Sequence, residues 1–141
     1  MKRILIENGV VLTVNSAGDV FECGYMVIEN DRITEVEAGT PPDEIRQQAD
    51  EIIDASNALV MPGMINAHIH FGDSLIRGLA DDRPLLGWLE DAAFPIYRHM
   101  TAEDVRVATL MGAVENIRGG ATAVSDNVYI PNDRAGFDAA F

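Results

Sequence analysis

The chain has 141 residues, of which 23 are acidic and 10 basic, for a formal net charge of -13 with 48% hydrophobic residues. That length and apolar content suit an ordinary globular domain. The acidic excess is spread over both halves, so it repels a phosphate backbone or an anionic bilayer and argues against nucleic acid and membrane surfaces as partners. The single cysteine, Cys23, leaves no internal disulfide to form and fits a reducing compartment.

At the N-terminus Lys2 and Arg3 precede only Ile4, Leu5 and Ile6 before Glu7, Asn8 and Gly9 interrupt the apolar run, far short of a secretory leader. Pro62-Gly63 breaks the longest apolar stretch below the about 18 residues that a spanning helix needs. A soluble, cytoplasmic protein is therefore expected.

Residues 1–60 are rich in short β-branched segments separated by turn residues. Strands are expected over 3–7, 10–14, 24–29 and 32–37, with tight turns at Asn8-Gly9 and Asn30-Asp31 joining antiparallel neighbours. After the loop Thr40-Pro41-Pro42-Asp43, one helical turn is expected over 44–49, then extended segments over 51–54 and 58–61. These features describe a small antiparallel β layer.

The pattern changes near residue 60, which marks a boundary between residues 1–60 and residues 61–141. Residues 64–71 read as a strand covered on both faces, and 84–93 as a helix whose apolar side is Leu85, Leu86, Trp88 and Leu89. Residues 101–118 carry the clearest helical signal. Thr101 is an N-cap residue, Asp104 occupies the capping-box position, and Glu103 and Asp104 place negative charge at the positive end of the helix dipole. Val107, Leu110, Met111, Val114 and Ile117 recur at helical spacing and predict a buried stripe, and Gly119-Gly120 ends the helix. A second strand follows at 121–125, and a further helix is expected to begin within 133–141. Strand, helix and strand in that order imply a parallel pair with a crossover helix.

Asn66-Ala67-His68-Ile69-His70 is the segment with metal-binding chemistry. Residues two apart on a strand share a face and lie about 6.6 Å apart along the chain, so His68 and His70 are able to converge on one ion. The competing reading, two polar side chains satisfied by backbone or water, is weakened by the apolar strand around them, where an unpartnered imidazole is costly. His99 lacks that setting and reads as a surface or capping histidine. Gly72, Gly78 and Gly87 are too scattered to cradle a phosphate.

The stretch Leu59-Val60-Met61-Pro62-Gly63-Met64-Ile65-Asn66-Ala67-His68-Ile69-His70 resembles the first barrel strand of the metal-dependent amidohydrolase superfamily. Leu75-Ile76-Arg77-Gly78-Leu79-Ala80-Asp81-Asp82, Trp88-Leu89 and Pro95-Ile96 are similar to the branch containing S-adenosylhomocysteine and methylthioadenosine deaminases and the triazine chlorohydrolases. The resemblance implies an α/β fold: the N-terminal part of a (β/α)8 TIM barrel preceded by part of a small β-sandwich. A complete barrel takes about 250 residues and eight strands, so these residues are expected to hold its opening units only.

The resemblance further implies one divalent metal ion, zinc favoured over iron, with His68 and His70 as two of its ligands. The reaction it implies is attack by a metal-activated water on an electron-poor ring carbon of a small heterocyclic substrate, releasing ammonia. Dechlorination or ring opening is the alternative within the superfamily. In that family the remaining ligands and proton-transfer groups lie on later strands, so the 141-residue chain alone is expected to be inactive, and a non-catalytic binding or assembly module is the alternative of another class. A homo-oligomer is compatible with the resemblance.

Two residues are candidates for the substrate side. Trp88 lies in the segment that borders the pocket in the family and could stack on a flat ring, although it fits a core beside Leu85, Leu86 and Leu89 equally well. Tyr97 stands where the adenosine-type deaminases are expected to carry a glutamate that grips ribose hydroxyls, which argues against a ribose-bearing substrate. Asp126, at the end of the second strand, reads as a turn residue or as one that orients its neighbours.

Overall fold

The computed structural model describes residues 2–128, and the helix expected within 133–141 lies outside them. The chain divides into two compact units, Met1–Pro62 and Gly63–Phe141.

The first unit is a five-stranded sheet around one long strand, β1 (Arg3–Leu12). It pairs antiparallel with β2 (Val20–Glu29), which pairs antiparallel with β3 (Arg32–Ala38). The Asn30-Asp31 turn forms as expected, with Asn30 at φ 57. On its other side β1 pairs in parallel with β4 (Glu51–Asp54) and β5 (Leu59–Val60), reached through the short helix α1 (Asp43–Gln48). The sheet is therefore mixed rather than purely antiparallel.

The expected turn at Asn8-Gly9 does not form; β1 runs straight through it. Asn8 adopts φ 66, and the register with β2 shifts between Ile6 and Gly9, so the residues are absorbed as a β-bulge. Asn8 donates its side-chain amide to Asp54 Oδ1 at 2.9 Å, which ties the bulge to the neighbouring strand. Gly9 is required there, since a Cβ would sit 2.9 Å from both Ala55 Cβ and Val60 Cγ2. The strand's period of two survives, with Leu5, Glu7, Gly9 and Val11 buried on one face. Leu5, Tyr25 and Val27 form the core, with Ile45 and Ala49 packed on it.

Tyr25 is buried and donates its hydroxyl to Glu35 Oε1 at 2.5 Å. That bond, followed by burial and the Glu35 charge, pushes the phenol pKa from 10.0 up to about 12. The folded state thus holds its proton more tightly than the unfolded chain. The stability this contributes is complete below pH 10 and is lost as pH rises through about 12. In an ultraviolet titration of the folded protein at pH 11, Tyr25 is expected to remain un-ionised, and Tyr25→Phe to abolish the late-titrating phenol.

The second unit is a strand-helix-strand unit. β6 (Met64–Ile69) pairs in parallel with β7 (Ala121–Asp126). Between them come a 3-10 turn (Phe71–Leu75), a helical segment and the long helix α4 (Ala102–Arg118). The helical segment outruns its expected end. It begins as α2 (Leu85–Trp88), widens into a π turn (Leu89–Ala93) and resumes as α3 (Phe94–Tyr97), with Pro95, which has no N–H to donate, directly after the π turn. Its apolar side is also narrower than expected. Leu85 and Leu86 are exposed, and it is Trp88 and Leu89 that pack on the cluster of Ile76, Ala93 and Tyr97.

The N-terminus of α4 forms as its sequence dictates. Thr101 Oγ1 accepts from the Asp104 N–H, Asp104 Oδ2 accepts from the Thr101 N–H, and the bonds from Thr101 hold the Asp104 carboxyl below the usual carboxylate range. The buried stripe is a different one from that expected. Val105, Ala108 and Gly112 are buried, whereas Val107, Leu110, Met111, Val114 and Ile117 are exposed on the opposite side of the helix. The reason is that α4 is apolar on two faces, and in this unit the face with the small residues receives the 3-10 turn. A Cβ on Gly112 would lie 2.4 Å from Phe71 Cδ1, so the ring occupies the space the glycine leaves. Asn116 completes the attachment, accepting from the Asn66 side chain at 2.8 Å while donating to the Gly112 carbonyl.

Candidate metal centre

His68 and His70 stand at the C-terminal end of β6, His68 inside the strand and His70 as the residue before the 3-10 turn. The β6–β7 register is irregular here, since Asn66 faces Val124 and Ile69 faces Asp126, three residues along β6 against two along β7. A bulge of this kind re-aims side chains. The two rings meet edge to face with centroids 4.8 Å apart, and their Nε2 atoms approach to 3.1 Å.

That separation is suited to a shared ion. Two nitrogens bound at about 2.0–2.1 Å to one tetrahedral ion are about 3.3 Å apart, within a few tenths of an ångström of the spacing the protein already holds. The pair is also accessible, with His68 exposed and His70 half-buried. Among the described residues no cluster of three or more His, Cys, Asp or Glu side chains that could hold a metal ion is found.

β7 supplies the surroundings. The Asp126 carboxylate accepts from the Phe71 N–H at 3.1 Å, which fastens the turn after His70 to the end of β7. Asn127, the next residue, accepts at its backbone oxygen from His70 Nδ1 at 2.5 Å, and its side-chain amide stands 3.3 Å from His68 Nδ1. Asp126 therefore orients its neighbours, one of the two roles its position suggests. Asn127 was not singled out by the sequence. The signal available was its position at a strand end beside His68 and His70.

A narrow cleft of about 10 Å³, room for about one water, opens beside His70, lined among others by Asp73, Tyr97, Asp126 and Asn127. Tyr97 is buried and donates a short hydrogen bond to Asp73 Oδ1. The structure thus brings Tyr97 to the cleft beside His70. It leaves Trp88 half-buried against the Ile76, Ala93 and Tyr97 cluster, outside that cleft. His99 is exposed. Arg77 pairs with Glu115 of α4 at 2.8 Å, tying its loop to that helix. No helix among the described residues is long and apolar enough to cross a membrane.

The second unit thus presents a parallel β/α unit with a His-x-His pair at the carboxyl end of its first strand. The sequence profile of the amidohydrolase family matches residues 59–140, and the chain belongs to that family. It is 37% identical over 94% of its length to a 5-methylthioadenosine/S-adenosylhomocysteine deaminase of Syntrophomonas wolfei, and 40% identical over 96% to a 5'-deoxyadenosine deaminase of Methanosarcina mazei. Among solved structures it superposes with a TM-score of 0.80 on a zinc-bound adenosine deaminase of Xanthomonas campestris, at 30% identity over 97% of the chain. A zinc-containing atrazine chlorohydrolase of Arthrobacter aurescens shares the fold, with a TM-score of 0.81 at 22% identity. The chain spans about 30% of the length of these deaminases and 32% of the chlorohydrolase.

Proposed function

We propose that the whole protein is a divalent-metal-dependent hydrolase that deaminates a nitrogen heterocycle. The observation that carries this reading is the 3.1 Å approach of His68 and His70 Nε2 at the end of β6 in a chain of the amidohydrolase family. His68 and His70 would hold the ion through Nε2, and zinc is favoured because imidazole suits it and because the Xanthomonas relative carries it. A divalent ion bound there would lower the pKa of its water towards about 7 and so supply the nucleophile at neutral pH.

The chain's own part is to hold and shape. β6 and β7 present the ligands from one end of the parallel pair, Asp126 secures the turn that follows His70, and Tyr97 with Asp73 forms one wall of the cleft. Tyr97 would meet the substrate, and Trp88 would support it from the adjoining cluster or stack on its ring. The general acid and base that move protons to the leaving amine belong to the remainder of the fold.

Deamination is favoured over dechlorination because the relatives at 37–41% identity are named as deaminases, while the likeness to the chlorohydrolase, at 22%, concerns the fold. Adenine nucleosides are tried because the relatives are named as deaminases of such compounds, and free purines, pterins and aminotriazines are tried beside them because Tyr97 in place of a glutamate disfavours a ribose grip. The test is ammonia release by the zinc-loaded whole protein across that panel. Metal-dependent ammonia production from an aminated ring is expected; chloride release from a chlorotriazine without ammonia from any member would overturn it.

A further inference from the structure

We propose that Asn127 is a positioning residue that sets the ring orientation and tautomer of both histidines, presenting their two Nε2 atoms together. This inference rests on the reading of His68 and His70 as metal ligands. Asn127 reaches the pair through three groups. Its backbone N–H donates to the Ile69 carbonyl at 2.7 Å, its backbone oxygen faces His70 Nδ1 at 2.5 Å, and its side-chain amide faces His68 Nδ1 at 3.3 Å. One residue thereby holds the strand between the two histidines and touches the far nitrogen of each ring.

The donor and acceptor bookkeeping follows from the chemistry of those groups. A carbonyl oxygen only accepts, so His70 Nδ1 carries the hydrogen and the lone pair of its neutral ring lies at Nε2, the atom that meets His68. The amide of Asn127 is two-faced. With its NH₂ toward His68 it donates to Nδ1, and His68 Nε2–H then donates across the 3.1 Å gap to His70 Nε2, so every nitrogen is matched without an ion. Turned over, giving up the 3.4 Å bond its NH₂ makes to the Ser125 carbonyl, its Oδ1 accepts from His68 Nδ1–H and leaves the lone pair of His68 at Nε2. Both histidines then offer lone pairs toward one point. Rotation of a single side-chain amide thus converts the pair from a self-satisfied state to a ligating one. Groups that orient ligating histidines in this way typically change metal affinity by about 10–100-fold when removed.

The backbone contact to His70 survives any substitution, so side-chain variants isolate the His68 arm. Asn127→Leu keeps the approximate shape and neither donates nor accepts, whereas Asn127→Asp accepts only and supports the ligating tautomer of His68. Zinc affinity of the whole protein is measured by competition with a chromophoric chelator. Asn127→Leu is expected to weaken zinc binding by about 10–100-fold and Asn127→Asp to remain within about threefold of wild type. Equal affinity of Asn127→Leu and wild type would overturn the proposal, as would equal losses in both variants. Should Asn127→Leu fail to fold, the imidazole nitrogens of metal-free wild-type protein, labelled with 15N at histidine, answer the same question. His70 is expected as the Nδ1–H tautomer, and an Nε2–H tautomer would overturn the assignment. Failure of wild-type protein to bind zinc at all would count against the metal-site reading itself, and the His70 tautomer would still decide the role of the Asn127 carbonyl.

Discussion

In the whole protein, His70→Ala is expected to lower kcat/KM for ammonia release by on the order of 10³-fold or more, about 4 kcal/mol of transition-state stabilisation. The effect is large because, on the proposed function, the substitution removes an ion ligand, and without the ion the attacking water loses its lowered pKa. It also deletes the ring that Asn127 orients. Stability should change much less, by about 1 kcal/mol, since His70 is only half-buried and fills no core cavity. A fall in activity without a matching fall in melting temperature is therefore the signature. His99→Ala is the control; His99 is exposed and outside the cleft, and activity within about twofold of wild type is expected. Retention of more than a tenth of the activity by His70→Ala would contradict its assignment as a ligand.

Gly112→Ala is the second large effect, and here two principles oppose each other. In an exposed helix interior, replacing glycine by alanine gains about 0.8–1.0 kcal/mol of helix propensity. Gly112 is buried, however, and its new Cβ would lie 2.4 Å from Phe71 Cδ1 and 2.8 Å from Ser74 Oγ. Ser74 can rotate, but the Phe71 ring is buried and its backbone N–H is held by Asp126. Forcing an extra methyl into such a contact costs about 1–3 kcal/mol. The steric cost is expected to win, leaving a net destabilisation of up to about 2 kcal/mol, read as a lower urea midpoint at unchanged slope. Phe71 directly follows His70, so a displaced ring should also loosen the metal site and weaken zinc binding. A stabilised Gly112→Ala protein would show that propensity governs this position and that the turn yields.

What could be read in advance was what depends on neighbours in sequence. The Thr101–Asp104 cap and the Asn30-Asp31 turn are signals carried by residues one to three apart and form as expected, and His68 and His70, two apart, bring their Nε2 atoms within 3.1 Å. The misreadings arise where distant partners decide. Asn8-Gly9 has the composition of a hairpin turn, but β4 and β5 line up along the other side of β1 and hold it extended, so the pair becomes a bulge. On α4 the larger apolar residues suggested the buried face, whereas the aromatic ring of Phe71 seeks the one with room, at Ala108 and Gly112. Asn127 escaped notice because its role depends on the pairing of β7 with β6 across more than fifty residues of chain. Asparagine after a strand ordinarily marks a turn.

The central claim, that His68 and His70 together hold a divalent ion, is tested most directly by zinc-edge X-ray absorption and metal quantitation on the whole protein and its His68→Ala/His70→Ala double variant. The account predicts imidazole nitrogens at about 2.0–2.1 Å in the wild type and loss of bound metal in the double variant. Wild-type metal content with an unchanged absorption spectrum in the double variant would contradict it.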